Sequence, residues 1–232
     1  MTEAERIARA YEQIDAGAGS RWDQSNAGNR LILEERRRLT TRLLTEAGWV
    51  PLGERRILEI GSGGGGELAW LRELGAQAGR MVGVELLPDR VAIANRAHPQ
   101  LEFHVGNAEH LDFPDGSFDL VMALTIFSSI LDEAMAANVA AEVYRVLRPG
   151  GGLLWYDFRY DSPANRHVRG VSRRRVRALF PKLKGELHTV TVLPPLARRL
   201  GPLTAATYPL LAAVPVLRSH VAGILRKVEE PS

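Results

Sequence analysis

The residues with the clearest capacity for chemistry form one short run, Glu59-Ile60-Gly61-Ser62-Gly63-Gly64-Gly65-Gly66. The run follows the apolar segment Arg56–Ile60 and precedes a segment with helical periodicity. Glycines at a strand-to-helix turn let the backbone bend sharply, and they let a ligand approach main-chain atoms that a Cβ would shield. The run therefore predicts a cofactor site at this turn.

Two acids indicate what kind of cofactor the turn would hold. Gly61, Gly63 and Gly66 also match the dinucleotide pattern G-x-G-x-x-G, so the glycines alone do not decide. A pyrophosphate would gain nothing from the carboxylate of Glu59 just before the turn, whereas a cationic amino-acid head would. Glu85 follows the next apolar strand and can accept hydrogen bonds from both hydroxyls of a ribose, in a nicotinamide or an adenosylmethionine enzyme alike. A nucleoside with a positively charged head is favoured.

Short apolar segments alternate with helical ones around these residues, which predicts a doubly wound, mostly parallel, Rossmann-like sheet. The five predicted strands of this alternation are Arg56–Ile60, Met81–Glu85, Leu101–Val105, Phe118–Leu124 and Gly152–Phe158. Two further strands, Glu186–Leu193 and Ser219–Arg226, are expected to complete a seven-stranded sheet as an antiparallel edge hairpin. Pro194–Pro215 is expected to connect them.

The chain length of 232 residues fits one structural domain. Residues 1–50 are expected to form an N-terminal helical cap and residues 51–232 the core. An insertion at about 159–218 is expected to cover a second substrate beside the cofactor, which we call the acceptor. The apolar stretch Leu203–Leu217 is interrupted by Pro209 and Pro215 and is too short to span about 30 Å of hydrocarbon. We expect it to pack over the acceptor pocket; peripheral contact with a membrane or a lipid-linked substrate is the alternative.

Several function classes are excluded by what the sequence lacks. The absence of Cys excludes disulfides, thiolate metal sites and a cysteine nucleophile. The six His residues form no metal-spaced pair, so no metal is expected, and neither a G-x-S-x-G elbow nor a Walker loop is present. The net charge of +3 and the Arg groups at 36–38 and 173–175 are typical of solvated helix faces, with no nucleic-acid motif. Met1–Gln13 lacks a signal-peptide core, so a cytoplasmic location is expected.

Four ordered motifs give the chain a family resemblance. They are Leu58–Gly65, Val82–Glu85, Gly106–Pro114 with Ser117–Val121, and Val146–Gly151. With them the chain resembles class I S-adenosylmethionine-dependent methyltransferases of the small-molecule type. More loosely, Ser20–Arg30 and Trp155–Gly170 resemble a bacterial group from glycan and natural-product pathways.

The resemblance implies S-adenosylmethionine as cofactor and assigns residues to its parts. Glu59 would orient the amino end, Glu85 would hold the ribose and Leu86 would pack on the adenine. Asn107, followed by Ala108, stands where the family often has an acid for the adenine amino group, and its carbonyl oxygen can accept the same hydrogen bond. The remaining cofactor residues are Gly61, Ser62 and Gly63 at the methionine portion, and Ala123 and Leu124 at the end of the fourth strand.

The acceptor is expected to be a small molecule that meets aromatic, amide and guanidinium groups, such as a sugar, a carboxylate or a phosphate. The predicted acceptor residues are Trp22, Asn29, Arg30, Thr125, Tyr156, Arg159 and Arg169. Asp157 is the candidate general base, with a structural or substrate-positioning Asp as the alternative.

Methylation of a sugar or natural-product hydroxyl is the first expectation for the reaction. The alternatives are N- or C-methylation of another small metabolite, a non-catalytic nucleoside-binding protein, and a nicotinamide oxidoreductase. Homo-oligomerisation is left open.

Overall fold

The computed structural model of the protein describes residues 1–17, 24–162, 165–200 and 203–228. An eight-stranded sheet runs through this part of the chain, in the order β3-β2-β1-β4-β5-β8-β6, with β7 also paired to β8. The strands are β1 (Ile57–Ile60), β2 (Met81–Glu85), β3 (Glu102–Val105), β4 (Phe118–Leu124), β5 (Leu147–Phe158), β6 (Leu183–Lys184), β7 (His188–Val192) and β8 (Arg218–Lys227).

Strands β1 to β5 are parallel, and β8 runs antiparallel to β5, β6 and β7. This confirms the predicted fold class, with the short β6 as an additional strand. Strand β5 begins at Leu147 rather than at the predicted Gly152, because the Pro149–Gly152 segment continues the strand past a register shift against β4.

Eight α-helices accompany the sheet in the described ranges. They are α1 (Glu3–Gly17), α2 (Ala27–Glu46), α3 (Gly66–Leu71), α4 (Pro88–Ala97), α5 (Glu133–Val146), α6 (Arg173–Leu179), α7 (Pro194–Arg199) and α8 (Thr204–Ala213). The stretch expected as a connection between the last strands therefore contains α7 and α8. Pro194 stands in the first turn of α7, where its missing N–H leaves no helical hydrogen bond unmade.

The core lies on both faces of the sheet. One layer packs the sheet against α5 and the aromatic rings of Phe127, Trp155 and Phe180. The other packs it against α2, α3 and α4. Strands such as β1 and β2 are buried along their whole length, as expected for parallel strands covered on both sides. Their carboxyl ends are therefore the first places where polar side chains can reach a ligand.

Helix α5 fixes the loop that follows β3. Glu142 accepts a hydrogen bond from the backbone N–H of Leu111 at 2.7 Å, and the Arg145 guanidinium donates to the carbonyls of Leu111 and Phe113 at 2.8 and 2.7 Å. These charge-assisted bonds hold the loop that begins with Asn107 and Ala108 against the end of the sheet.

Within the described ranges, every helix is too short or too polar to cross a lipid bilayer.

Candidate active site

A cavity of about 350 Å³ opens at the carboxyl ends of β1, β2 and β4, and we call it cavity I. Its volume falls in the range of small-molecule sites. The predicted cofactor and acceptor residues that line it are Gly61, Glu85, Leu86, Asn107, Ala108, Leu124 and Thr125. Of the other predicted cofactor residues, Glu59, Ser62 and Ala123 are buried outside its lining, and Gly63 lies beside it.

The glycine turn has the conformation that the sequence predicted. Gly61 and Gly63 have φ angles of +65° and +53°, which L side chains rarely adopt. A Cβ on Gly61 would lie 2.5 Å from the Ile126 side chain, whereas a Cβ on Gly63 would meet no protein atom within 4 Å. The backbone at Gly63 therefore faces open space where a ligand can approach it.

Glu85 is fixed between the two turns that border cavity I. Its carboxylate accepts hydrogen bonds from the backbone N–H groups of Gly63 at 2.9 Å and Leu87 at 3.0 Å. The residue is only 6% exposed, yet it lines the cavity. Because each carboxylate oxygen has a second lone pair, the group can still accept hydrogen bonds from a pair of hydroxyls.

Behind the turn, two buried side chains each have an oxygen without a hydrogen-bond partner in the described part of the chain. Oε2 of Glu59 and Oγ of Ser62 are buried without a hydrogen bond to any described residue. Burial raises the pKa of Glu59 well above its ordinary value; the nearby charge of Glu67 adds to this effect and that of Arg36 opposes it. Orphaned buried oxygens at a ligand site indicate a missing donor. The residues present therefore fit a nucleoside ligand whose other end carries an amino group.

Asn107 reaches cavity I with its amide already engaged. Its Oδ1 accepts from the backbone N–H of Glu109 and its Nδ2 donates to Glu109 Oε2, both at 3.0 Å. The carbonyl oxygen keeps one lone pair for a ligand.

The roof of cavity I comes from α1, which the sequence did not predict as part of the site. Ile7 and Tyr11 line the cavity, and the Tyr11 hydroxyl is 2.9 Å from Oγ of Ser129. The ring of Tyr11 lies under the Arg90 guanidinium at 4.4 Å. Glu3 accepts from the N–H of Leu131 at 2.6 Å, which ties the start of α1 to the same segment. The helical spacing of the apolar residues Ile7, Ala10 and Tyr11 indicates that this face of α1 packs on the protein, but it does not indicate where.

Two smaller cavities adjoin cavity I. Cavity II, of about 160 Å³, lies under α1 and α7 and shares Ile7, Tyr11 and Ser129 with cavity I. Cavity III, of about 260 Å³, lies beside α2 and shares Arg36 with cavity I. Thr125 lines all three.

Thr125 occupies this junction in a strained conformation. Its φ of +59° is rare for a β-branched residue. Its N–H donates to the Tyr156 carbonyl at 2.7 Å, which holds the end of β4 against β5. Backbone strain of this kind is commonly maintained at functional sites.

Cavity III contains a buried polar network. Among its lining residues are the predicted Asn29 and Tyr156, together with His220. The Tyr156 hydroxyl is 2.9 Å from Oγ1 of Thr191, and its ring stacks on His220 at 4.5 Å. Ser219 Oγ donates to the Thr191 carbonyl, so it accepts from Nδ1–H of His220 at 2.8 Å. This arrangement selects the tautomer in which Nε2 of His220 carries a lone pair.

Burial, with a contribution from the Arg36 charge, lowers the pKa of His220 to about 3. The unfolded chain binds this proton near pH ~6.5, so between these two pH values acid favours unfolding. We expect the unfolding free energy of the wild type to fall by about 1.4 kcal/mol per pH unit more steeply than that of His220→Phe as pH drops from ~6 to ~4. Urea unfolding across this range measures it, and parallel slopes would contradict the buried neutral imidazole.

Of the other predicted acceptor residues, Arg30, Arg159 and Arg169 lie outside the linings of the three cavities. Arg30 donates to the carbonyls of Gln24 and Ser25, and Arg159 lies over the Tyr160 ring. Arg169 donates to the Leu131 carbonyl and to Glu133. Trp22 falls outside the described residues.

Asp157 is buried at the end of β5 and lies outside the lining of all three cavities. Its carboxylate accepts from the backbone N–H groups of Ser128 at 3.0 Å and Phe158 at 2.7 Å. Burial raises the pKa of Asp157 to about 6, and the hydrogen bonds partly offset this. The contacts fasten the turn at Phe127–Ser129 to the sheet.

Comparison with known proteins finds similarity to methyltransferases. Residues 57–151 match the family described as "Methyltransferase domain". The chain is 33% identical over 161 residues to phthiotriol/phenolphthiotriol dimycocerosates methyltransferase 1 of Mycobacterium ulcerans, covering 62% of this chain and 56% of that protein. It is 34% identical over 158 residues to a fatty-acid O-methyltransferase of Mycolicibacterium smegmatis, covering 64% and 56%. The chain thus spans about half the length of these curated relatives.

Among solved structures, the PH0226 protein of Pyrococcus horikoshii superposes with a TM-score of 0.65 at 17% identity. The superposition covers 93% of this chain and 98% of that protein, so the likeness in fold extends beyond the matched domain to nearly the whole chain.

Proposed function

Because residues 57–151 match a methyltransferase-domain family, we propose that the chain is a class I S-adenosylmethionine-dependent methyltransferase and that it methylates a hydroxyl of a small acceptor with a substantial apolar part. The observation that carries the proposal is the junction at Thr125, where cavity I meets cavities II and III. A cofactor in cavity I and an acceptor in either neighbour would face each other there.

When bound, the cofactor supplies a methyl group made electrophilic by its sulfonium. Glu85 would hold the ribose hydroxyls with a carboxylate that Gly63 and Leu87 already orient. Glu59 and Ser62 would meet the amino end, for which their unpartnered oxygens are suited. An ammonium group there would also favour the ionised form of Glu59.

The chain's own part in the reaction is positioning and the exclusion of water. Tyr11 and Ile7 of α1 close cavity I from above, and Thr125 forms the floor shared with the acceptor space. An acceptor placed in cavity III would have its hydroxyl held by His220, which would accept a hydrogen bond from it through Nε2. Its lowered pKa suits it to orient that hydroxyl rather than to keep the proton. Alignment of the methyl group with the acceptor hydroxyl can supply most of the rate enhancement of the transfer reaction.

Asp157 as general base stays a prediction. Both of its oxygens accept backbone N–H groups, so its contacts support the alternative that was left open, a residue that positions the Phe127–Ser129 turn.

The walls of cavity II bear on the acceptor class. Apolar groups contribute much of this surface, including Ile7, Ala10, Phe158, Val168, Pro194 and Pro195. Arg6 and Arg198 add cationic groups. The relatives from mycobacteria are named for lipid substrates, a phthiotriol dimycocerosate and a fatty acid. An amphipathic natural-product or lipid-like hydroxyl therefore suits this space better than a free sugar.

The division of the chain that the sequence predicted supports the same proposal. Helix α1 of the 1–50 cap lines cavities I and II, and α2 lines cavities I and III; the 159–218 insertion contributes Asn165, His167, Val168 and α7 residues to cavity II. We propose that the insertion covers the acceptor.

The test is incubation of the full chain with S-adenosylmethionine that carries a deuterated methyl group and a panel of hydroxylated amphiphiles, fatty acids and free sugars. Mass spectrometry is expected to find the labelled methyl on an oxygen of an amphiphile. Cofactor binding with no labelled product from any acceptor would favour a non-catalytic binder. Tight NADH binding without binding of S-adenosylmethionine would overturn the proposal.

A further inference from the structure

Helix α8 and the 3₁₀ turn that follows it, Pro215–Leu217, present an outward face made only of apolar residues. These exposed residues, which we call the apolar face, are Leu203, Ala205, Ala206, Pro209, Leu210, Ala213, Val214, Pro215 and Val216. Leu203, Leu210 and Val216 are 66%, 72% and 64% exposed. Solvated helices normally carry charged residues on the outer face, and contiguous apolar patches of this kind mark interaction sites.

The opposite face of α8 is anchored, so its orientation is fixed. Thr204 is fully buried and donates to the Ala197 carbonyl at 3.3 Å. The Tyr208 hydroxyl donates to Glu35 of α2 at 2.7 Å and accepts from the N–H of Val192 at 3.3 Å. The apolar face therefore points outward because the polar groups of α8 are held inward.

Arginine side chains lie beside α8. A groove of about 500 Å³ beside α8 is lined by Ala212 and by Arg38, Arg42 and Arg218, with His188 and Glu35 at its edge. Glu35 is engaged by Tyr208, and Glu46 lies 3.8 Å from Arg42. An apolar face with positive charge beside it is complementary to a partner that has an apolar interior and a negatively charged surface.

A tyrosine and an arginine lie beside the apolar face near Val216. Tyr160 is 36% exposed, and its hydroxyl donates to the Val216 carbonyl at 3.4 Å. Arg159 lies over the Tyr160 ring at 4.2 Å. Burial and the like charges of Arg173 and of Arg218, which also lines the groove, lower the pKa of Arg159. Tyr and Arg at the edge of an apolar face are typical of segments that lie in a membrane interface.

We propose that α8 and the Pro215–Leu217 turn seat the protein on the surface of an anionic lipid bilayer, with the apolar face inserted among the acyl chains and the arginines on the headgroups. Binding of this type combines buried apolar area with attraction to anionic lipids. The docking itself does not require methyl transfer. It would, however, place α7, which lines cavity II, next to a source of amphipathic acceptors.

The test is flotation of the full chain with extruded phosphatidylcholine vesicles that contain either no or about one-third phosphatidylglycerol. We expect the wild type to float with the anionic vesicles and to be released by high salt. The double variant L210E/V216E should bind at least about tenfold more weakly. Val228→Glu is the matched control, since Val228 is 54% exposed at the far end of β8, and it should bind like the wild type.

The arginines are tested separately. R38Q/R42Q is expected to weaken binding to anionic vesicles by about fivefold per charge and to leave α8 intact. Thermal unfolding and cofactor affinity measure whether each variant is folded. If L210E/V216E does not fold, Leu210→Ser and the wild-type response to lipid charge and salt decide instead.

The proposal would be overturned if the wild type floated with neither kind of vesicle. It would also be overturned if L210E/V216E floated as well as the wild type. A wild-type dimer in light scattering that L210E/V216E converts to a monomer while vesicles are not bound would overturn it as well, because a second copy would then cover the face. None of these results depends on methyl transfer, so a failure here is distinct from a failure of the proposed activity.

Discussion

Replacing Glu85 by alanine is expected to weaken the binding of S-adenosylmethionine by a factor of about 100 or more. The carboxylate is buried at the cavity wall, and hydrogen bonds from two ligand hydroxyls to a charged acceptor contribute roughly 1.5–3 kcal/mol each. The same change leaves the N–H groups of Gly63 and Leu87 without their acceptor, so the glycine turn also loses its fixed position.

Isothermal titration calorimetry measures this effect. Glu102→Ala is the matched control, because Glu102 is a carboxylate on the neighbouring strand β3 that is paired with His104 and lies outside cavity I. Its affinity should equal that of the wild type. A Glu85→Ala protein that folds and binds the cofactor as tightly as the control would show that the ribose lies elsewhere.

Replacing Tyr11 by alanine is expected to reduce kcat/KM for the acceptor by about 100-fold, while cofactor affinity falls by less than about tenfold. The ring lines both cavity I and cavity II, so its removal would merge the two spaces and admit water where the reactants meet. Tyr11→Phe keeps the ring under Arg90 and loses only the contact with Ser129, so it should retain most of the activity.

Steady-state kinetics with the acceptor identified by the labelling experiment, combined with calorimetry, separate these two effects. Tyr144→Ala is a suitable control, since Tyr144 lies near Lys182 and Lys227 and outside the three cavities. Full turnover in the Tyr11→Ala protein would mean that α1 is not the roof of the reacting centre.

The sequence predicted those parts of the site that depend on local chemistry. A buried strand that ends in glycines must turn there, and Glu85 lies at the end of the next strand of a parallel sheet. Such ends share one edge, so the sequence predicts that Gly61, Glu85 and Leu124 meet there. The alternation of strands and helices likewise predicted the sheet, including its antiparallel strand.

Non-local packing explains most of what could not be predicted. Tyr11 and Arg36 reach cavity I from helices that precede the sheet, and no spacing in the sequence indicates where those helices dock. Arg30 and Arg169 were predicted to bind the acceptor because of their guanidinium groups, but these groups donate to backbone carbonyls. Asp157 is similar: a strand-end carboxylate can face a ligand or hold a turn, and the geometry of its neighbours decides between the two.

A crystal structure of the full chain soaked with S-adenosylhomocysteine, the demethylated cofactor, would show where the cofactor binds. We predict that the compound lies in cavity I, with its ribose hydroxyls on the Glu85 carboxylate and its amino end at the Gly61–Gly63 turn near Glu59. Electron density for the compound in another place, or a turn that protein side chains close against it, would contradict the account.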